Sequence, residues 1–250
     1  MTKNFYVTTT LPYLNDNPHL GHALEFIQAD VIARYKRALG YDVVFNTGTD
    51  EHGLKIYQKA FENKLPAKDY VDLYALRFKA LKEQLNLSFT HFIRTTDPHH
   101  MFGAQEFWKR CTAAGDIYMG EYEVKYCVGC ELEKNETELE NGRCFIHPNL
   151  ELQFIHEENY FFRWSNYQDK LLALYESGDF VVPESRLKEI KTFVQGGLKD
   201  FSISRIKEKM PWGVPVPGDD RHVMYVWFDA LVNYITTLGW PDKNEEFEKF

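Results

Sequence analysis

The chain has 250 residues, 44% hydrophobic and 16% aromatic, which is enough apolar surface for one large or two ordinary cores and excludes a disordered tail. Its 29 basic and 37 acidic side chains leave a formal net charge of −8, which excludes a grip on nucleic acid by bulk electrostatics. No apolar run is long enough to span a bilayer and the N-terminus lacks a signal-peptide core, so a cytoplasmic, reducing setting with no membrane partner is expected.

"NFYVTTT" reads as a β-branched and aromatic strand, and "LPYLNDN" as turn material. A helix is predicted from Pro18 to Leu39, with Leu20, Leu24, Ile27, Val31, Tyr35 and Leu39 recurring at helical spacing. Asn17 is the expected N-cap, Pro18 the first helical residue and Gly40 the stop. "YDVVFNTGT" is a second strand, so the first fifty or so residues read as a parallel βαβ unit with a crevice at its strand ends.

"NPHLGH", at the opening of that helix, places His19 and His22 three apart around Gly21. A helix N-terminus carries unpaired N–H groups and the positive end of the dipole, and so favours phosphate. Both imidazoles can donate to phosphoryl oxygens, and a residue without a side chain lets a base or phosphate approach the backbone. The plainer reading is a pair of surface or structural histidines. The chain has no G-x-G-x-x-G and no Walker lysine loop, so dinucleotide and P-loop sites are poor fits.

"TDEHG" follows the second strand; Asp50 there suits either an α-ammonium group or the cap of the next helix. Further helices are expected over about Pro66–Leu85 and Pro98–Ala114. From about Gly115 to Pro148 the pattern changes to short strands, cysteines and an "NG" turn. Cys127-x2-Cys130 and Cys144-x2-His147 present two short pairs, which the Asn141–Gly142 turn can fold together. Three thiolates and an imidazole suit Zn²⁺ in a closed structural site, while Cys111 stands outside the spacing. Helical segments return between Asn166 and Lys199, where "SRLKEIK" reads as a solvated face. "MPWGVPVPGDD" reads as a connector, and "HVMYVWFDALVNYITTLGW" restores a strand-then-helix rhythm. Trp227, Leu231 and Tyr234 share one face of that helix, a pattern that serves a core as readily as a pocket.

The fold class expected is thus α/β, a doubly wound parallel sheet interrupted by an insertion. The divisions fall at 1–115, 116–222 (with the knuckle at 126–148) and 223–250. "PYLNDNPHLGH", with "TGTDEHG", "RTTDPHH", "NYFFR", "SISR", "WGVPVP" and "YVWFDALVNY" in order, resembles the methionyl branch of the class I aminoacyl-tRNA synthetases over nearly the whole chain. The resemblance implies a Rossmann-like catalytic domain with a connective-peptide insertion and the single-knuckle form of its zinc site, with His147 as fourth ligand. It implies ATP held by Thr10, Pro12, Asn15, His19, Gly21 and His22, the two histidines being catalytic, with Mg²⁺ on the phosphates. It implies methionine held by Leu11, Tyr13, Asp50, Trp227, Ala230, Leu231 and Tyr234, although Leu231 stands where many relatives have proline. L-Methionine, ATP and tRNA(Met) are the partners implied.

The lysine-rich second signature of the class lies outside these residues, so the 250 residues by themselves are expected to form adenylate poorly. The other readings are a His-x-Gly-His nucleotidyltransferase, a zinc-knuckle RNA-binding module, and a class I synthetase for another large apolar amino acid.

Overall fold

The computed structural model describes residues 3–134, 138–178 and 180–250. In chain order the first part is β1 (Asn4–Thr8), α1 (Leu20–Ala38), β2 (Asp42–Thr49), α2 (Leu54–Glu62), α3 (Ala67–Gln84), β3 (His91–Arg94) and α4 (Pro98–Ala113). The three strands form a parallel sheet in the order β1-β2-β3, with Asn4 opposite Asp42 and Asn46 opposite His91. Parallel neighbours need a crossover, and the helical periodicity between them supplies one each time.

β2 is buried on both sides, as parallel strands in such sheets are. Val43 and Phe45 face a cluster with Phe26, Ala29 and Ala33 of α1, Ile56 of α2, and Val71 and Phe78 of α3. Asn46 points the opposite way, and its amide donates to Asn233 Oδ1 at 3.2 Å. The Tyr6 hydroxyl donates to the Tyr234 carbonyl at 3.0 Å, so the second face is covered by the C-terminal part of the chain. The expected α/β parallel sheet with cover on both faces is present.

α1 differs from its expected form in two respects. Its cap is His19, not Asn17, and its first helical residue is Leu20, not Pro18. The His19 ring accepts from the Gly21 amide, while Asn17 Oδ1 instead accepts from Arg77 of α3. The apolar stripe used to identify the helix also points outward: Leu20 is 87% exposed, Val31 60% and Tyr35 61%. The side that meets the sheet is Phe26, Ala29, Asp30 and Ala33, where two alanines allow close approach to the strands. The periodicity identified a helix, but the smaller side chains chose its inner face.

The insertion begins with β4 (Ile117–Cys127), β5 (Leu132–Lys134), β6 (Leu139–Glu140), β7 (Arg143–Cys144) and β8 (Gln153–Phe162). The strands expected here to be short include an eleven-residue β4, which pairs antiparallel with β8 from Ile117–Phe162 to Tyr126–Gln153. A 3₁₀ turn (Trp164–Tyr167) then leads into α5 (Gln168–Glu176), followed by α6 (Glu184–Gln195), β9 (Phe201–Ser202) and β10 (Ser204–Ile206). β9 extends the β4–β8 sheet, whose order is β5-β4-β8-β9.

The chain then forms β11 (Pro215–Val216), β12 (Asp219–Met224), α7 (Val226–Leu231), α8 (Asn233–Thr236) and α9 (Asn244–Lys249). The proline-rich stretch expected as a connector contributes β11 and the start of β12, which pair around Gly218. The division expected between 222 and 223 falls inside β12. α4 packs here: Ala104 and Trp108 share a cluster with Ile203, Val214, Val216, Met224 and Phe228, which anchors the returning chain to this helix. Among the described residues no helix is long and apolar enough to cross a membrane.

Candidate functional site

The site lies at the C-terminal ends of β1 and β2. After β1 the chain runs on beside β2 without forming a strand. Thr9 N donates to the Asn46 carbonyl at 3.2 Å, Asp50 N to the Pro12 carbonyl at 2.9 Å, and Leu14 N to the Asp50 carbonyl at 2.9 Å. These bonds fix Thr10, Leu11 and Tyr13 against Asp50, as far as a single bridge between Tyr13 and Asp50.

α7 and α8 close the other side. A cavity of about 380 Å³ results, lined by Thr10, Leu11, Tyr13, Asp50, Trp227, Ala230, Leu231 and Tyr234, together with Val226, Asn233, Lys55 and residues 129–131. All seven residues expected to hold the amino acid therefore line one space, although Trp227 and Leu231 lie on α7 and Tyr234 on α8. A larger cavity of about 860 Å³ adjoins it, shares Trp227, Leu231 and Tyr234, and is walled by Phe162, Trp164, Phe201 and Arg205.

Asp50 lines the smaller cavity together with the charged residues Lys55 and Glu131. Its Oδ1 is closed off from solvent and has no hydrogen-bond partner. Burial first, and then the Asp229 and Glu131 carboxylates, push the Asp50 carboxyl well above the usual carboxylate range. An unpaired buried carboxylate oxygen is costly, and a cation placed beside it would remove most of that cost. Asp229 is itself wholly buried, and its Oδ2 lies 2.7 Å from His52 Nδ1. Burial raises its carboxyl and His52 pulls it back. The His52–Asp229 pair ties the end of β2 to α7, which carries one wall of the cavity.

The two histidines at the start of α1 hold each other. His19 Nδ1 accepts from the Gly21 amide at 3.1 Å, and His22 Nδ1 accepts from the His19 amide at 3.3 Å. The rings stack with centroids 3.7 Å apart and planes 18° from parallel. An Nδ1 that accepts carries no proton, so each neutral ring keeps its N–H on Nε2. Burial first and then His19 lower the His22 pKa, which favours the neutral form. The result is two parallel rings with defined donors at the positive end of a nineteen-residue helix.

The His19 ring fits here because Gly21 carries no Cβ, which would lie 2.9 Å from that ring. Glu25, on the next turn, accepts from the Thr10 amide at 2.6 Å and so links α1 to the cavity wall. Its charge also acts on Tyr234, whose hydroxyl burial raises first. Pro12 is buried, and Asn15 accepts the Tyr70 hydroxyl through its carbonyl at 3.2 Å. Pro12, Asn15, His19, Gly21 and His22 lie outside the cavity lining.

Cys127, Cys130, Cys144 and His147 converge, with their ligand atoms all within 4.8 Å of one another, and can hold a metal ion. Cys130 Sγ lies 3.6 Å from Cys144 Sγ and 3.2 Å from His147 Nδ1, and Cys127 Sγ lies 3.8 Å from the same nitrogen. Bonds of about 2.3 Å to sulfur and 2.0 Å to nitrogen in a tetrahedron require ligand separations of this order, so the set fits the ion. Asn141 and Gly142, at φ 52° and 74°, make the turn between β6 and β7 that returns Cys144 to the first pair.

Two groups of residues were missed by sequence reasoning. His52 and Asp229 are 177 positions apart, and no local pattern joins them. Glu131 passes for an ordinary charge after a cysteine. Its signal is positional: it follows the second ligand of a tight knuckle, where the chain must turn sharply, and its φ is 52°.

The family model for tRNA synthetases class I (M) matches residues 5–133 and 129–250. The methionine–tRNA ligase of Caldanaerobacter subterraneus subsp. tengcongensis is 46% identical over 100% of this chain and 39% of its own length. That of Mycobacterium bovis is 48% identical over 98% of this chain and 47% of its own. Among solved structures, Mycobacterium tuberculosis methionyl-tRNA synthetase bound by methionyl-adenylate superposes with a TM-score of 0.93 at 46% identity, covering 99% of this chain and 50% of that one. The chain thus spans about half the length, or less, of these relatives.

Proposed function

The chain belongs to the class I (M) tRNA synthetases, and from that premise we propose that the protein activates L-methionine with ATP and transfers it to tRNA(Met). The observation that carries this reading is the convergence of an aromatic, sulfur-tolerant wall on a buried, unpartnered carboxylate oxygen in one cavity. A methionine side chain is apolar and polarisable, and aromatic rings favour its sulfur. Its ammonium would pair with Asp50, and its carboxylate would then lie on the side of the cavity nearer α1.

The chemistry proposed has two steps. The methionine carboxylate attacks the α-phosphorus of ATP, a P–O bond forms, and pyrophosphate leaves. The terminal ribose hydroxyl of the tRNA next attacks the acyl carbon and gives up its proton; a C–O ester bond to the tRNA forms as the acyl–phosphate anhydride bond breaks, and AMP leaves with that bond's electrons. The residues take no covalent part. The Nε2–H groups of His19 and His22 donate to the phosphoryl oxygens as charge develops on them. Thr10, Pro12, Asn15 and Gly21 position the nucleotide. Leu11, Tyr13, Trp227, Ala230, Leu231 and Tyr234 orient the amino acid.

Mg²⁺ would arrive with the ATP phosphates and neutralise part of their charge. Zn²⁺ would be held by Cys127, Cys130, Cys144 and His147, a closed shell that braces the knuckle and offers no open position. Such a ligand set suits the reducing cytoplasm.

Methionine-dependent ATP–pyrophosphate exchange tests the reading, with leucine, isoleucine and valine as competitors. Exchange should require methionine, with discrimination of about 10–200-fold per methylene-sized difference. Exchange driven equally well by leucine would replace methionine with another apolar substrate, and exchange independent of any amino acid would overturn the assignment.

A further inference from the structure

We propose that Glu131 is a positioning residue of the amino-acid pocket, which fixes Tyr13 and thereby links metal occupancy of the knuckle to methionine affinity; this rests on the methionine reading above. Glu131 directly follows the ligand Cys130, yet its side chain serves the pocket. Its Oε1 accepts from the Tyr13 hydroxyl at 2.8 Å and from the Lys55 amide at 2.8 Å. Its own carbonyl accepts the hydroxyl of Tyr225, the residue that leads into α7. One residue therefore joins three pieces of the pocket: the loop after β1, the start of α2, and the entry to α7.

Each bond answers a local need. α2 begins after Gly53, which has no side chain to cap the helix, and the Glu131 carboxylate takes over that role from another part of the chain. Tyr13 is pinned at its backbone by the bonds of Pro12 and Leu14 to Asp50, and at its hydroxyl by Glu131. Its ring is therefore stretched between the ammonium-pairing carboxylate and the knuckle. The hydroxyl occupies a slot that Gly53 leaves open, because a Cβ there would lie 2.6 Å from it.

The other end of this linkage is the metal site. Gly129 packs under the His147 ring, where a Cβ would lie 2.7 Å from the ring, so the 129–131 segment takes its position from the ligand cluster. The knuckle's own strands are two or three residues long, apart from the end of β4. With so little core, the ion would hold Glu131 in place, and Glu131 would hold Tyr13. Linkage requires the effect to be reciprocal: an amino acid that favours the fixed Tyr13 also favours the filled knuckle.

The test uses the full-length protein, with methionine affinity read by calorimetry and zinc content by elemental analysis. Glu131→Ala at full zinc occupancy should weaken methionine about tenfold and leave ATP affinity unchanged, within the usual range of such couplings. Glu131→Gln, which keeps an acceptor for Tyr13 and Lys55, should stay within about threefold of wild type. Removing zinc with a chelator should weaken methionine in the wild type by a factor like that of Glu131→Ala, and add little to that variant. Methionine should slow zinc loss to the chelator in the wild type but not in Tyr13→Phe, which keeps the ring and loses only the hydroxyl. Methionine affinity unaltered in Glu131→Ala, or chelation that weakens it equally in both proteins, would overturn the linkage. A wild type that binds ATP but not methionine would overturn the functional reading instead.

Discussion

The substitution Asp50→Asn separates what the pocket needs for binding from what the fold needs for stability. Asp50 Oδ1 is buried without a partner, and the carboxyl is held well above its ordinary range by burial and by the Asp229 and Glu131 carboxylates. An asparagine keeps the shape of the side chain and removes the charge that burial and the neighbouring carboxylates disfavour. An unpaired buried polar group costs about 1–3 kcal/mol, and more when charged. The ligand-free variant should therefore be more stable than wild type at pH 7.5 by about 1–3 kcal/mol. For a chain of this size that is roughly 2–4 °C in Tm per kcal/mol.

The gain should depend on pH in a defined direction. Burial and the neighbouring carboxylates raise the Asp50 carboxyl in the folded state above its ordinary value of 3.8. Between those two values the folded chain binds more protons than the unfolded one, so its stability falls as pH rises. Asparagine cannot titrate, so the advantage of the variant should be small near pH 4 and grow until the folded carboxyl has ionised. Thermal unfolding across pH 4–8.5, with and without methionine, reads both effects. The wild type should gain about 2.7 kcal/mol with methionine at about 100 times its dissociation constant, and the variant should gain little. A variant less stable than wild type throughout, or one with the same pH profile, would refute the argument.

Other perturbations follow from the same geometry. His22→Ala should lower the rate of pyrophosphate exchange about 10²–10³-fold with little change in methionine affinity, because it removes a donor to the developing phosphoryl charge; a rate within tenfold of wild type would contradict the role. His19→Ala should cost about 0.5–2 kcal/mol in denaturant unfolding besides its effect on exchange, since this residue caps α1. Asp229→Ala leaves His52 Nδ1 without its buried hydrogen-bond partner and should cost about 1–3 kcal/mol by the same measurement. Gly48→Ala would place a methyl group 1.9 Å from the Ile93 carbonyl oxygen, so the β2–β3 pairing must shift, and Tm should fall by several degrees or soluble protein be lost.

Much of the fold is written locally, and what is not was lost for identifiable reasons. The βαβ unit could be read because strand and helix periods alternate cleanly over the first fifty or so residues, and the Asn141–Gly142 turn because few sequences favour positive φ at two successive residues. The inner face of α1 could not be read. It presents two rival stripes, and Leu20, Leu24 and Val31 outweigh Phe26, Ala29 and Ala33 on any hydrophobic count, although the sheet admits only the narrower set. Tyr13, Asp50, Trp227 and Tyr234 are expected together because the family resemblance names them, and they do line one cavity. Glu131 and the His52–Asp229 pair were not expected, because their meaning arises only when distant segments meet.

β2 settles where the site can be. Along this strand, neighbours alternate between an aliphatic and aromatic cluster that takes Phe45 and an amide partner that takes Asn46. Sliding the strand by one position would drive an amide into hydrocarbon and a phenyl ring against Asn233, so intermediate placements are forbidden. Asp50 sits immediately beyond the end of the same strand. The register of β2 therefore decides at which end of the sheet this carboxylate emerges.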